Sequence, residues 1–272
     1  MNKQKIFNKI VKDIKSIKIQ GAKNIAKKAF YAYSLIPTNT SKQKLLSARP
    51  TEPMLVNMLN NSKVLSYYEV INHLDSSQEI INKETFRLIK DNSIIFTHCH
   101  SSAVVSALIY ARKKGKRFEV YNTETRPLFQ GRKTSKELKK ARIKVTMIVD
   151  SAASVALSGE QGFKKPRLIL LGADAILKKG VINKIGSEMF SQIAKSNKIP
   201  VYILANSWKY FPRNIKIEQR DLEEVWKTNR KIKIRNPAFE FIKKKYISGI
   251  ISEFGLLSYN QFLRKVKKRK FI

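Results

Sequence analysis

Cys99 is the chain's one cysteine. It closes the apolar run Ile94-Ile95-Phe96-Thr97-His98, just before Ser101-Ser102 opens a stretch of helical character. A thiol between a strand and a helix meets the positive end of a helix dipole, which favours thiolate. The plainer reading is a small hydrophobe filling a gap. Asp174 ends a second apolar run, in Gly172-Ala173-Asp174. A thiolate and a carboxylic acid on two strand ends make a general base and acid when their surroundings separate the two pKa values. His98 and His100 flank the thiol, but neighbouring strand residues point to opposite faces, which disfavours a cysteine–histidine nucleophile. His98 is expected to be a structural hydrogen-bonder, and His100, in the turn opening the helix, either lines the pocket or turns away. There is no CxxC and no HxH with a carboxylate, so no metal or redox cofactor is implied.

These residues need a scaffold. Apolar runs of strand length recur at 93–98, 117–122, 144–149, 167–172, 200–205 and 247–252. Helical stretches at 102–114, 134–141, 151–157 and 185–197 separate most of them. Strands alternating with helices predict parallel pairing and an open α/β, Rossmann-like sheet with helices on both faces. Ligands of such sheets bind outside the carboxyl ends of the strands. Polar groups stand there repeatedly: Cys99, Glu124-Thr125-Arg126-Pro127, Asp150, Asp174 and Asn206. Asp150 before Ser-Ala-Ala reads equally as a helix N-cap. The stretch Gly180-Val181-Ile182-Asn183-Lys184-Ile185-Gly186 reads as a turn glycine, an amide, a lysine and a second glycine at a helix start, a combination that suits an anion. No GxxxxGK[ST] or GxGxxG is present, so neither an ATP nor a dinucleotide site is inferred. Before residue 90 the spacing is helical, over 3–35 and 54–90, interrupted at Pro37-Thr38-Asn39-Thr40-Ser41 and Arg49-Pro50-Thr51-Glu52-Pro53. The expected organisation is a helical domain over 1–90 and a catalytic sheet domain over 91–272. The basic tail after Lys265 reads as a disordered end.

Composition bounds the rest. At 272 residues and 43% hydrophobic content, the chain can bury a sizeable core. A single cysteine excludes an internal disulfide and fits a reducing compartment. Neither a secretory h-region nor a run of about 18 apolar residues occurs, so the protein is expected to be cytoplasmic, with no membrane partner. The 55 basic and 20 acidic residues, net +35, are scattered rather than striped. They imply only nonspecific attraction of nucleic acid, and equally draw in a doubly phosphorylated small molecule.

Four segments, in this order, resemble a known superfamily: Thr97-His98-Cys99, Glu124 to Gly131, Gly172-Ala173-Asp174-Ala175-Ile176 and Ile182-Asn183-Lys184-Ile185-Gly186. Ala48-Arg49-Pro50-Thr51, Arg235-Asn236-Pro237 and Ser252-Glu253-Phe254-Gly255 extend the likeness over most of the chain. The superfamily contains methylthioribose-1-phosphate isomerase, archaeal ribose-1,5-bisphosphate isomerase and the alpha, beta and delta subunits of initiation factor 2B. Its translational members generally lack the cysteine and aspartate. Cys99 and Asp174, with Ser101-Ser102 and the compact N-terminal part, resemble the archaeal bisphosphate branch.

The resemblance implies conversion of ribose 1,5-bisphosphate to ribulose 1,5-bisphosphate in AMP breakdown, by a homodimer or homohexamer open to a nucleotide effector. It implies Cys99 and Asp174 as the catalytic pair, in either assignment of base and acid. It further implies phosphate and sugar contacts from Gly21, Ala22, Arg49, Arg126, Asn183 and Lys184. Lys209 is a weaker candidate, or a solvated surface charge; Arg126 has an inter-strand salt bridge as its alternative. Gln20 stands where the family usually has arginine, with Lys23 the nearest replacement cation. His100, Asn206 and Glu240 replace a common asparagine, glutamate and aspartate. Competing expectations are a non-catalytic translation subunit, a methylthioribose-1-phosphate isomerase and a nucleic-acid binder.

Overall fold

The spacing of Phe7, Ile10 and Ile14 buries one stripe of the first helix, α1 (Lys3–Lys15), and leaves its lysines exposed. The chain breaks after it, with left-handed backbone at Ile17 (φ +63°) and Gly21 (φ +82°), and resumes as α2 (Ala22–Leu35). The computed structural model describes residues 2–19, 21–50, 52–62, 65–215, 217 and 219–268; Gln20 and Thr51, singled out above, lie outside them. The expected interruption at 37–41 is shorter than the sequence suggests. Thr38 caps α3 (Asn39–Ala48), its hydroxyl accepting the Ser41 N–H at 3.1 Å. Next come α4 (Pro53–Asn60) and α5 (Tyr67–Leu88). A capping box starts α5: Ser66 Oγ accepts from Glu69 N–H, and Glu69 returns the bond to Ser66 N–H at 2.7 Å.

Strands and helices then alternate. In chain order they are β1 (Ser93–Thr97), α6 (Ser102–Lys113), β2 (Phe118–Thr123), α7 (Gln130–Lys140), β3 (Lys144–Ile148), α8 (Ala153–Ser158) and β4 (Leu168–Leu171). After them come β5 (Ala175–Ile176), β6 (Gly180–Lys184), α9 (Ser187–Ser196), β7 (Val201–Leu204), β8 (Phe239–Lys243), β9 (Gly249–Ser252), β10 (Gly255–Leu257) and α10 (Tyr259–Lys268). The main sheet runs β10-β9-β7-β4-β1-β2-β3, parallel throughout except for the β10–β9 hairpin. Alternation along β1 sends Phe96 to one face, with Ile169, Leu171 and Phe190, and Ile95 to the other, with Leu108, Leu138 and Leu170. Helices cover both faces, as central parallel strands require.

Two expectations change. Residues after Lys265 continue α10 as far as Lys268, because Tyr259, Phe262 and Val266 bury one face of it. Gly180 opens a strand rather than a turn. The subsidiary antiparallel sheet β5-β6-β8 brings the Ile242 carbonyl and the Phe241 ring to where a Cβ on Gly180 would lie. No helix among the described residues is long and apolar enough to cross a membrane.

Phe190 is fully buried, its ring centroid 5.5 Å from Phe96 and 4.8 Å from His98. Phe190→Ala is expected to lower unfolding free energy by about 3–5 kcal/mol in urea melts. A loss below 1 kcal/mol would mean that the sheet face repacks around the gap.

Candidate active site

The chain enters the main sheet at β1, builds outward to β3, then returns to lay β4 on the other side of β1. Helices crossing from β1 and from β4 therefore diverge, and the crevice at their strand ends is the topological switch point. Cys99 follows β1 and Asp174 follows β4, so the two groups flank that crevice. Gly172 lets their loops approach: a Cβ there would sit 2.5 Å from Ser101 Oγ and 2.7 Å from Ser101 Cβ.

Cys99 takes a left-handed backbone, φ +66°, which costs a non-glycine residue on the order of 1–2 kcal/mol. Hydrogen bonds hold it on both sides. Its N–H donates to Thr125 Oγ1 at 3.0 Å, and its carbonyl accepts from Thr134 Oγ1 at 2.8 Å. Thr125 is left-handed as well, φ +65°. The Asp150 carboxylate fixes it by accepting N–H bonds from Thr125 at 2.9 Å and Arg126 at 2.6 Å. Asp150 thus braces the loop after β2. His98 is buried between Thr123 Oγ1, 2.5 Å from Nδ1, and the Ile185 carbonyl, to which Nε2 donates at 2.8 Å. Burial pushes its pKa down to about 4, so it is a neutral post and not a base.

The thiol departs from expectation. Burial pushes Cys99 up to about 11, with Lys184 pulling the other way. Ser101, not Cys99, is the N-cap of α6, so the dipole acts beyond the sulfur and desolvation wins. Burial also raises the Asp174 carboxyl above the usual carboxylate range, against Lys209, Lys184, Arg49 and Arg220. The Asp174 charge is among the influences raising the thiol, so the carboxyl ionises first.

Both groups line a cavity of about 270 Å³, near the lower end of the range for small-ligand pockets. Gly21 and Ala22 close one wall at the start of α2, where Gly21 supplies no side-chain cap; a helix start facing a cavity suits an anion. Arg49, Asn183, Lys184 and Lys209 line it too. Lys184 stands over the Phe239 ring at 5.1 Å, Asn183 Nδ2 donates to Ser187 Oγ at 2.8 Å, and Lys209 donates to the Ala173 carbonyl. Lys209 is therefore no solvated surface charge. Arg126 is a correction: it does not line the cavity. The Asp150 brace turns its side chain outward, where it donates to the Val225 carbonyl at 3.2 Å and stacks over Phe129.

Sequence reasoning missed Arg220, Gln130 and Lys133, all in the cavity wall. Arg220 comes from an irregular segment, tied back by its N–H to Asn236 O and by Asn236 Nδ2 to Asp221 O. The Arg235-Asn236-Pro237 motif was the available signal. Lys23 reaches the wall, but its ammonium is bound to Asp75 at 3.1 Å. Asn206 caps the turn at Trp208, and Glu240 accepts the Glu188 N–H at the start of α9. Six cationic side chains and two carboxylates line the cavity, a balance suited to a ligand carrying several negative charges.

A doubly wound sheet with an ionisable pair at its switch point defines an α/β protein built to hold a small anionic ligand. The chain belongs to the Initiation factor 2 subunit family, which it matches over residues 38–259. The ribose 1,5-bisphosphate isomerase of Methanocaldococcus jannaschii is 35% identical, covering 94% of this chain and 93% of its own. That of Archaeoglobus fulgidus is 33% identical, covering 90% and 87%. Among solved structures, translation initiation factor eIF-2B of Pyrococcus horikoshii OT3 superposes with TM-score 0.80 at 25% identity, over 93% of this chain and 96% of that one. The 5-methylthioribose 1-phosphate isomerase of the same organism gives 0.77 at 23%, over 96% and 87%, a likeness of fold.

Proposed function

We propose that this protein is an aldose–ketose isomerase that converts ribose 1,5-bisphosphate to ribulose 1,5-bisphosphate. The observation that carries the reading is a thiol and a carboxyl group facing one cavity ringed by cations. Fold alone does not separate an enzyme from a translation subunit, whereas an acid–base pair in a cation-lined pocket favours the enzyme. Relatives named for this reaction span nearly the whole chain at 32–35% identity. The cytoplasmic setting and the homodimer or homohexamer belong to the same reading, with the single free cysteine fitting a reducing compartment.

A phosphate on C1 blocks the free aldehyde, so the ring C1–O4 bond must break with phosphate in place. Asp174 as the acid protonates O4 while Cys99 as thiolate removes the C2 proton, leaving an enediol phosphate. Asp174 then takes back the C2 hydroxyl proton and Cys99 returns its proton to C1, which restores both groups. Arg49, Lys184, Lys209 and Arg220, with the backbone at Gly21-Ala22, hold the phosphates. The thiolate–carboxylic acid form carries as many protons as the more abundant thiol–carboxylate form, so the two are tautomers of one state. The thiolate is scarce, but with a parent thiol near 11 it is the stronger base toward a C–H bond.

Incubation with ribose 1,5-bisphosphate is expected to yield the ketose, and kcat/KM should fall on the acid side as Asp174 gains its proton and the pair carries one too many. Toward alkaline pH it should then stay level until the thiol itself ionises. A tenfold rise per pH unit that continued, with no level stretch, until the thiol itself ionises would point to the thiolate acting without the carboxyl group, and no turnover would leave a non-catalytic family member.

A further inference from the structure

We infer that His100 and Thr134 act in series as positioning residues for the Cys99 thiol; the catalytic part of this rests on the isomerase reading above. The Cys99 carbonyl can only accept, so the Thr134 hydroxyl spends its one hydrogen there, at 2.8 Å. His100 Nδ1 lies 3.1 Å from the same Thr134 oxygen and must be the donor. That fixes the imidazole with its proton on Nδ1 and orients Thr134 Oγ1 toward Cys99. Thr134 is fully buried on α7, so a rigid helix, rather than a loop, sets the carbonyl side of the left-handed cysteine. Thr125 sets the N–H side. With one link removed, the loop loses the bond that offsets its unfavourable backbone, and the sulfur is free to leave its place opposite Asp174.

Both residues lie close to the thiol without being assigned a proton of the reaction. The imidazole ring carries its second nitrogen 3.9 Å from Glu137, on the same helix as Thr134. A substitution at either position therefore tests one chain of contacts from two ends.

Thr134→Val keeps the shape and deletes the hydroxyl; Thr134→Ser keeps the hydroxyl; His100→Phe deletes the donor. Thr134→Val and His100→Phe are each expected to lower kcat about tenfold or more, because a buried hydrogen bond is lost. KM should stay within about threefold in Thr134→Val, since Thr134 does not line the cavity, whereas His100 does. Thr134→Ser should restore most of the rate. The double variant should be no worse than the poorer single one, the mark of residues acting through one another. A second readout needs no substrate: Cys99 is the only thiol, so iodoacetamide labels it alone. Thr134→Val should be alkylated several-fold faster than wild type, with a lower pH midpoint, because a released loop exposes the sulfur. Additive losses in the double variant, or wild-type alkylation and kcat in folded Thr134→Val, would overturn the inference. If ribose 1,5-bisphosphate is not turned over at all, alkylation still decides whether the two residues hold the thiol.

Discussion

Cys99→Ser and Asp174→Asn are each expected to lower kcat on ribose 1,5-bisphosphate by about 10²–10⁴-fold, the contribution of one positioned acid or base. Serine matches the thiol in size, but its hydroxyl is far too weak an acid to furnish the base. Asparagine keeps the shape of Asp174 and can neither give nor store the proton. Neither change should unfold the protein. Cys99 is held through its backbone, to Thr125 and from Thr134, a serine hydroxyl can keep the bond that the sulfur takes from the His100 backbone, and the Asp174 backbone N–H donates to Ile182 O at 2.8 Å. Melting curves close to wild type should accompany the loss. Full activity in either variant would remove the pair from the mechanism.

Gly172→Ala is expected to cost about 10²-fold in rate, because a misplacement of about 1 Å between reacting groups is enough for that. The new methyl group would meet Ser101 Oγ at 2.5 Å and Ser101 Cβ at 2.7 Å. Rotation of the hydroxyl relieves the first contact but not the second. The loop holding Cys99 and the loop holding Asp174 must therefore spread. Adding Ser101→Gly removes both contacting atoms and should recover much of the rate, at some cost from the lost α6 cap. Wild-type turnover in the single variant would show that the two loops tolerate a wider crevice.

Of the six strands in the parallel part of the main sheet, the inner ones were legible because central parallel strands are buried on both faces and read as apolar runs. Strand β3, at the edge and only partly buried, was legible only from its spacing after α7. The small sheet was not. Strand β5 has only two residues, β8 is mostly half-buried, and Gly180 in β6 has the look of a turn. The position of Cys99 and Asp174 was legible from strand ends, but the thiol's charge state was not, since a helix start is visible in sequence and the depth of burial is not. Arg126 misled for a related reason: it occupies a strand end, and the direction of its side chain depends on a brace from Asp150, 24 residues on. Arg220 reaches the cavity from a segment with no periodicity to announce it.

Helix α5 belongs to two cores at once. Val70 and Leu74 bury among the N-terminal helices, while Ile81 buries against the sheet. Trp208 adds a second bolt, inserted from the sheet side among those same helices, with Asn57 Nδ2 donating to its carbonyl at 2.7 Å. The pocket's two jaws, one carrying Gly21 and Arg49 and the other Cys99 and Asp174, thus share a spine. A clamshell opening of the two jaws would have to bend that 22-residue helix.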